Sequence, residues 1–112
     1  MNINENSKKL SRTYLEKCPV FKCNNEAREY LEREFGDRLV FYQKFKEDAK
    51  ICHIFHLILD RNAYQKGIVK LTERKWSMSD DDCINFLNSH QIIEIEENGM
   101  IYLHGNNRLE DE

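Results

Sequence analysis

The chain of 112 residues contains one proline, four glycines and no long apolar run. Its glycines are not clustered, so it lacks a glycine-rich loop of the kind that cradles phosphates. No apolar stretch approaches the ~20 residues that a membrane-spanning helix needs. The opening residues, MNINENSKKL, include neither an apolar segment nor a cleavage pattern, which argues against a signal peptide and predicts a cytoplasmic protein.

The composition indicates one folded domain, residues 1–112. Apolar residues make up 40% of the chain and aromatic residues 11%, enough for a core that needs neither disulfides nor a metal. In a cytoplasmic chain the four cysteines are expected to be reduced thiols. Residues 1–8 and 105–112 are polar and lack apolar periodicity, so both ends are expected to be flexible.

The most informative segment lies near the end of the chain. Two apolar runs, 92–96 and 100–104, flank Asn98-Gly99, which is a strong signal for a β-hairpin. A two-residue loop would place acidic residues on both faces of the hairpin. A three-residue loop, 97–99, separates apolar from acidic residues and puts Gly99 at a left-handed position.

The three-residue loop is therefore preferred, and it defines the two faces of the predicted hairpin. The apolar face consists of Ile93, Ile95, Ile101 and Leu103. The opposite face carries Glu94, Glu96, Met100 and Tyr102.

A helix is predicted before this hairpin, over 79–88. Ser79 is a suitable N-cap, and the three aspartates that follow it lie where the helix dipole favours negative charge. Its apolar face consists of Cys83, Ile84, Phe86 and Leu87.

A pair of helices is predicted over 9–36. The first occupies 11–17 and ends before Pro19, because the residue before proline is pushed away from helical geometry. Asn25 caps the second helix, and Gly36 ends it. The apolar stripe of the second helix consists of Ala27, Tyr30, Leu31 and Phe35.

Residues 38–60 allow two interpretations. As a helix they present a near-heptad apolar stripe, whereas as strands they divide into 39–45 and 51–59. Alternation fails in the second run, ICHIFHLIL, so the helix is favoured and a strand at 38–45 is the main alternative. A turn at 62–67, a short strand at 68–71 and a helical turn from Thr72 to Trp76 are predicted to follow.

The element order from residue 42 onwards resembles that of a winged-helix domain. In this resemblance 79–88 takes the position of the recognition helix and 97–99 the tip of the wing, while the element at 72–78 is short for such a domain. The predicted fold class is therefore α+β and mostly helical. It consists of the helical pair and a winged-helix-like unit, 37–104, that ends in a β-hairpin.

Charge argues against the DNA binding that this resemblance implies. Residues 77–112 contain one base against nine acids, a net charge of −8. A recognition helix that begins with three aspartates would repel phosphates. Bases cluster instead in a strip that consists of Arg61, Lys66, Lys70, Arg74 and Lys75. This basic strip is either a solvated face or an anion-binding surface, and a nucleic-acid-binding winged helix that uses it is the alternative function.

The leading interpretation is a protein-interaction or regulatory module without catalytic activity. A basic centre and an acidic end suit an unknown protein partner or self-association, for instance as a homodimer. The interface candidates are Asp80, Asp81, Asp82, Glu94, Glu96, Met100 and Tyr102. Trp76 is either part of the core or a further anchor, and its bulk favours the core.

No cofactor, metal or catalytic residue is assigned. Cys18 and Cys23 could chelate zinc, and Cys52 and His56 could add ligands if both lie on one helical face, so a small zinc-stabilised domain is a further alternative. A small buried thiol is equally ordinary at Cys52. His53 and His56 lie near Cys52, but the sequence contains no recognisable oxyanion-hole motif and no residue that would orient a catalytic histidine, which argues against an enzyme.

Overall fold

The computed structural model describes residues 10–104. The four helices described there are α1 (Arg12–Lys17), α2 (Asn24–Phe35), α3 (Arg61–Thr72) and α4 (Asp81–Leu87), and a 3-10 turn follows α2 at Gly36–Arg38. The strands are β1 (Leu39–Glu47), β2 (Lys50–Ile58), β3 (His90–Glu96) and β4 (Ile101–His104). The ends that were expected to be flexible, 1–8 and 105–112, lie outside the described residues.

The four strands form one antiparallel sheet in the order β1-β2-β3-β4. The first pair of helices packs on one face of the sheet, and α3 and α4 pack on the other. The fold is therefore α+β, as predicted, but the expectation of a mostly helical chain is wrong. The strands do not form an isolated C-terminal hairpin, since β3 and β4 are half of a larger sheet.

The helix favoured over 38–60 is wrong, because this segment forms the β1–β2 hairpin. Glu47 pairs with Lys50 across a two-residue turn, and Asp48 and Ala49 both have positive φ, 52° and 68°. These angles are those of a type I′ turn, which matches the twist of the flanking strands. The alternation expected of a strand is missing in β2 because helices cover parts of both of its faces.

The larger core lies between the first face of the sheet and the helical pair. Its buried members are Leu10, Ala27, Leu31, Phe35, Leu39, Phe55, Leu57, Ile93 and Ile95. The predicted α1 and α2 are confirmed, although Cys23 rather than Asn25 is the N-cap of α2. The side-chain amide of Gln91 exchanges two 2.8 Å hydrogen bonds with the backbone of Leu10, which attaches the start of the described chain to β3.

The smaller core lies between the second face of the sheet and the α3–α4 pair. Ile58, Tyr64 and Phe86 are its buried members. The turn predicted at 62–67 and the strand predicted at 68–71 are wrong, because both segments belong to α3. Gly67 allows α3 to approach α4 closely, since a Cβ at this position would lie 2.3 Å from Phe86.

The predicted C-terminal hairpin and its register are confirmed. Ile95 pairs with Ile101, Gly99 has a φ of 91°, and the backbone N–H of Glu96 donates to the carbonyl of Met100 over 3.0 Å. The tip of the hairpin is not a free wing: a Cβ at Gly99 would lie 2.8 Å from Phe21. The prediction of a winged-helix-like unit is therefore wrong. The first half of that unit is a β-hairpin, and its predicted wing packs against the α1–α2 connection.

The predicted helix over 79–88 is confirmed with a shifted start. Asp80 is the N-cap of α4, and its carboxylate accepts a 2.8 Å hydrogen bond from the backbone N–H of Asp82. Ser79 lies before the cap, so the capping assignment to Ser79 is wrong by one residue. Cys83 and Phe86 are buried as predicted, whereas Ile84 is exposed.

Replacing Ala49 with glycine is expected to stabilise the protein by about 0.5–1 kcal/mol, because glycine adopts the positive φ of the turn without the strain that alanine carries. Urea unfolding measures the change. The matched control is Ala63→Gly in α3, where the same substitution should destabilise by about as much. Destabilisation by Ala49→Gly would contradict the type I′ turn.

Replacing Gly67 with alanine is expected to destabilise the protein by about 1–3 kcal/mol, because the added methyl group overpacks the contact with Phe86. Thermal unfolding followed by circular dichroism measures the loss. Lys66→Ala, at the neighbouring exposed position of the same helix, should have little effect. A Gly67→Ala variant that is more stable than the parent would show that α3 and α4 are not packed this closely.

Candidate functional site

The helices leave part of the second face of the sheet uncovered. The α3–α4 pair covers the end of this face near Ile58, and the remainder forms a shallow groove of about 310 Å³. The groove is lined by Tyr42, Gln43, Phe45, Ile54, His56, Ile92, Glu94 and His104. We call this surface the sheet groove.

The apolar floor of the groove follows from strand alternation. In the antiparallel register His56 pairs with Ile92 and Ile54 with Glu94, so these side chains share one face. Tyr42 occupies an irregularity in β1, where the pairing shifts between Phe41 and Gln43. This bulge lets the ring of Tyr42 stack on the imidazole of His56, with ring centroids 4.2 Å apart and planes inclined by 20°.

Carboxylates lie at one end of the sheet groove. The thiol of Cys52 and the carboxylates of Glu94 and Glu96 lie within 4.8 Å of one another. Glu94 is 13% exposed, and one of its oxygens lies 2.6 Å from Nε2 of His104. Burial and then the neighbouring Glu94 carboxylate raise the pKa of Cys52 to about 11, so its thiol is neutral near pH 7.

Glu47 adds a third carboxylate to this end of the groove. It acts on Cys52 in the same direction as Glu96, by raising the pKa of the thiol. We call Glu47, Glu94 and Glu96 the acidic rim. Among the described residues, Cys52, Glu94 and Glu96 also form a group of donors that could hold a metal ion. The high pKa of the Cys52 thiol opposes formation of the thiolate that zinc prefers.

A buried histidine pair lies beneath the other end of the groove. Nδ1 of His56 lies 2.9 Å from the hydroxyl of Tyr64, and the rings of His56 and His90 are 4.2 Å apart. Ser89 Oγ lies 3.1 Å from Nδ1 of His90. Burial lowers the pKa of His56 to about 3 and that of His90 to about 4, so both imidazoles are neutral near pH 7.

The structure brings together only some of the predicted interface candidates. Glu94, Glu96 and Tyr102 share the face of the sheet groove, and Tyr102 is exposed. Met100 immediately precedes β4 and lies beside the α1–α2 connection. The three aspartates belong to α4 and its cap, and Asp82 lines a separate depression beside α3.

The four zinc candidates do not meet at one site. Cys18 and Cys23 belong to the α1–α2 connection, whereas Cys52 and His56 belong to β2. In an extended strand four residues span about 13 Å, so Cys52 and His56 share a face but cannot bind one ion. His53 points to the opposite face from both, which separates it from the Cys52 thiol.

The basic strip is partly neutralised by ion pairs. Nζ of Lys70 lies 2.8 Å from the carboxylate of Asp80, which raises the pKa of the lysine. Arg61 is paired with Asp37 at 3.2 Å and Lys75 with Glu73 at 3.5 Å. These pairs reduce the charge that the strip offers to an anionic partner.

Sequence reasoning missed Tyr42, Phe45, Ile54 and Ile92 as members of a surface site. The helical interpretation of 38–60 put Tyr42, Phe45 and Ile54 on one helix instead of on two paired strands, and the bulge that turns Tyr42 towards His56 has no sequence signal of its own. Trp76 was expected to be core, and its ring packs on Phe86 with centroids 5.7 Å apart.

Comparison of the chain with protein families, with curated proteins and with solved structures finds no match. None of the helices described between residues 10 and 104 has the length and apolar character needed to span a bilayer.

The buried histidine pair is expected to make stability fall with acid. An unfolded chain protonates these histidines near pH 6.5, whereas the folded chain does so only near pH 3–4. Their contribution is therefore complete above pH 6.5 and is lost as the pH falls towards 4. Between pH 7 and pH 5 each histidine should remove about 1–2 kcal/mol from the free energy of unfolding measured in urea.

His56→Gln and His90→Gln should each reduce this pH-dependent loss. Tyr64→Phe is the control, because it removes the hydroxyl next to His56 but keeps both imidazoles. It should lower stability at both pH values while the difference between them persists. An unchanged difference in both histidine variants would show that the pair is not buried in its neutral form.

Proposed function

We propose that the protein is a cytoplasmic protein-interaction module without catalytic activity. It binds an extended segment of a protein partner in which basic residues alternate with apolar ones. The observation that carries the proposal is the sheet groove, an uncovered apolar surface bordered by the largely buried carboxylate of Glu94. The free thiols of the described chain agree with a reducing compartment.

The apolar part of the groove supports anchoring of an aliphatic side chain. Tyr42 and Tyr102 are 45% and 38% exposed, and aromatic residues of this kind are enriched where protein partners are bound. Phe45, Ile54 and Ile92 join Tyr42 in the apolar lining of the groove, and Tyr102 lies opposite Glu94 on the same face of the sheet. Burying such side chains against a partner removes apolar surface from water, which is the main driving force of association.

The acidic rim supports the choice of a basic partner. Its three carboxylates all raise the pKa of the buried Cys52 thiol, and the C-terminal third of the chain carries a net charge of −8. Complementary charge steers a cationic segment to the groove and discriminates against an acidic one. The ion pairs within the basic strip leave that surface less suited to the alternative, a nucleic acid.

The partner is expected to lie across the face of the sheet rather than to extend its edge. β4 offers only four residues for pairing, and the bulge at Phe41/Gln43 interrupts the hydrogen-bonding pattern of β1. Natural edge strands use such bulges to prevent added pairing.

The test uses a fluorescein-labelled eight-residue peptide in which arginine and leucine alternate. Anisotropy at low salt should show saturable binding with a Kd of about 10 μM. The double variant Glu94→Gln/Glu96→Gln should weaken binding about tenfold. Asp81→Asn/Asp82→Asn removes the same charge from α4 and should leave the affinity nearly unchanged, which separates the groove from the net charge of the protein.

A second peptide with serine in place of leucine tests the apolar anchor. It should bind at least about fivefold more weakly, because the loss of one buried aliphatic group costs on the order of 1 kcal/mol or more. Equal weakening by the two double variants would contradict the proposal. Equal affinity for the two peptides would contradict it as well.

A further inference from the structure

A second pocket lies on the opposite face of the sheet, next to the start of α2. Its volume is about 390 Å³, within the range of small-molecule sites. It is lined by Asn24, Asn25, Arg28, Phe41, Lys44, His53 and Phe55. We call it the cationic pocket.

Three cationic or titratable side chains converge on this pocket from different elements. Arg28 comes from α2, Lys44 from β1 and His53 from β2, and the last two are paired neighbours in the sheet. Nε of Arg28 is buried and has no hydrogen-bond partner among residues 10–104, and it forms a 4.0 Å ion pair with Glu32 on the next turn of α2. The Arg28 side chain is nevertheless 43% exposed and lines the pocket, so the accessible part of its guanidinium can donate charge-assisted hydrogen bonds to an anion bound there.

The electrostatics of the pocket favour an anion. The pKa of His53 lies below its usual value, first because of burial and then because of the positive charges of Lys44 and Arg28. Glu97, at the tip of the β3–β4 hairpin, acts in the opposite direction but does not reverse the shift. The positive charges therefore repel one another, and an anion placed between them would relieve that repulsion.

The remaining wall of the pocket is aromatic. The rings of Phe41 and Phe55 meet edge to face with centroids 5.6 Å apart, and Phe41 lies 6.1 Å from the ring of His53. Phe41 is 52% exposed although it belongs to the face that carries the larger core. A planar ring lying against Phe41 would cover this exposed surface.

We propose that the cationic pocket binds a small free molecule in which a phosphate group is attached to a planar ring. Several donors on different sides of the pocket suit the oxygens of a phosphate better than a carboxylate, which one guanidinium would satisfy. Asn25 provides a further amide at the same edge, and the side-chain amide of Asn24 lies 3.4 Å from Nδ1 of His53. This site is separate from the sheet groove and does not depend on the peptide-binding function.

Phenyl phosphate is the probe, and the imidazole signal of His53 in NMR spectra is the readout. Binding should saturate with a Kd of about 0.1–1 mM and should weaken as salt is added. It should also raise the pKa of His53, because the phosphate stabilises the imidazolium. Phenol and inorganic phosphate should each bind at least fivefold more weakly.

Arg28→Gln and Lys44→Gln should each weaken binding of phenyl phosphate about tenfold, as expected for loss of a charge-assisted hydrogen bond. Lys66→Gln removes one positive charge from α3 and should leave binding unchanged. Lys44 is exposed on β1, so its variant remains informative if Arg28→Gln fails to fold.

Four results would overturn the proposal. The first is a His53 signal that does not saturate when the concentration of phenyl phosphate is tenfold above the expected Kd. The second is a Lys44→Gln variant that binds phenyl phosphate as tightly as the parent protein does. The third is inorganic phosphate binding as tightly as phenyl phosphate, which would remove the ring from the ligand. The fourth is a blocked phosphotyrosine peptide that binds more than tenfold more tightly than phenyl phosphate, which would assign the site to a phosphorylated peptide. A peptide that stays below this tenfold limit supports a free small molecule.

Discussion

The fold depends on β2, an inner strand whose apolar side chains point to both faces of the sheet. Phe55 and Leu57 belong to the core beneath the helical pair, and Ile58 belongs to the core beneath α3 and α4. A strand of this kind is stable only when both faces are covered, so the chain must supply a helical layer on each side. The order of elements follows from this requirement: one helical pair precedes the β1–β2 hairpin, and the second pair lies between β2 and β3.

Neither helical layer is large enough to cover its face completely, and the two uncovered areas differ in charge. The sheet groove carries the acidic rim and an apolar floor, whereas the cationic pocket on the opposite face combines Arg28, Lys44 and His53 with two phenylalanines. The same strands build both surfaces, because alternation sends Cys52 and Ile54 to one face and His53 and Phe55 to the other. A single thin sheet thus presents two chemically distinct surfaces.

The β3–β4 hairpin could be predicted from the sequence, whereas the β1–β2 hairpin could not. Asn98-Gly99 and strict alternation determine the register of β3 and β4, and with it the shared face of Glu94, Glu96 and Tyr102. The turn between β1 and β2 contains no glycine, and β2 is apolar on both faces, so its sequence cannot be distinguished from a buried helix by periodicity alone. The residues of the cationic pocket that lie on β1 and β2 could not be recognised as neighbours without the β1–β2 hairpin, because only the pairing of these strands brings them together.

Residues 39–58 form a β-hairpin whose second strand lies inside the sheet, and both helical layers and both surfaces depend on it. Native-state hydrogen exchange followed by NMR tests it most directly, because interior strands exchange only on global unfolding while edges open locally. The amides of β2 and β3 should be the most protected and those of β1 and β4 less so, and cross-strand contacts should join Phe45 with Cys52. Helical medium-range contacts through 39–58, or β2 amides that exchange as fast as those of β4, would contradict it.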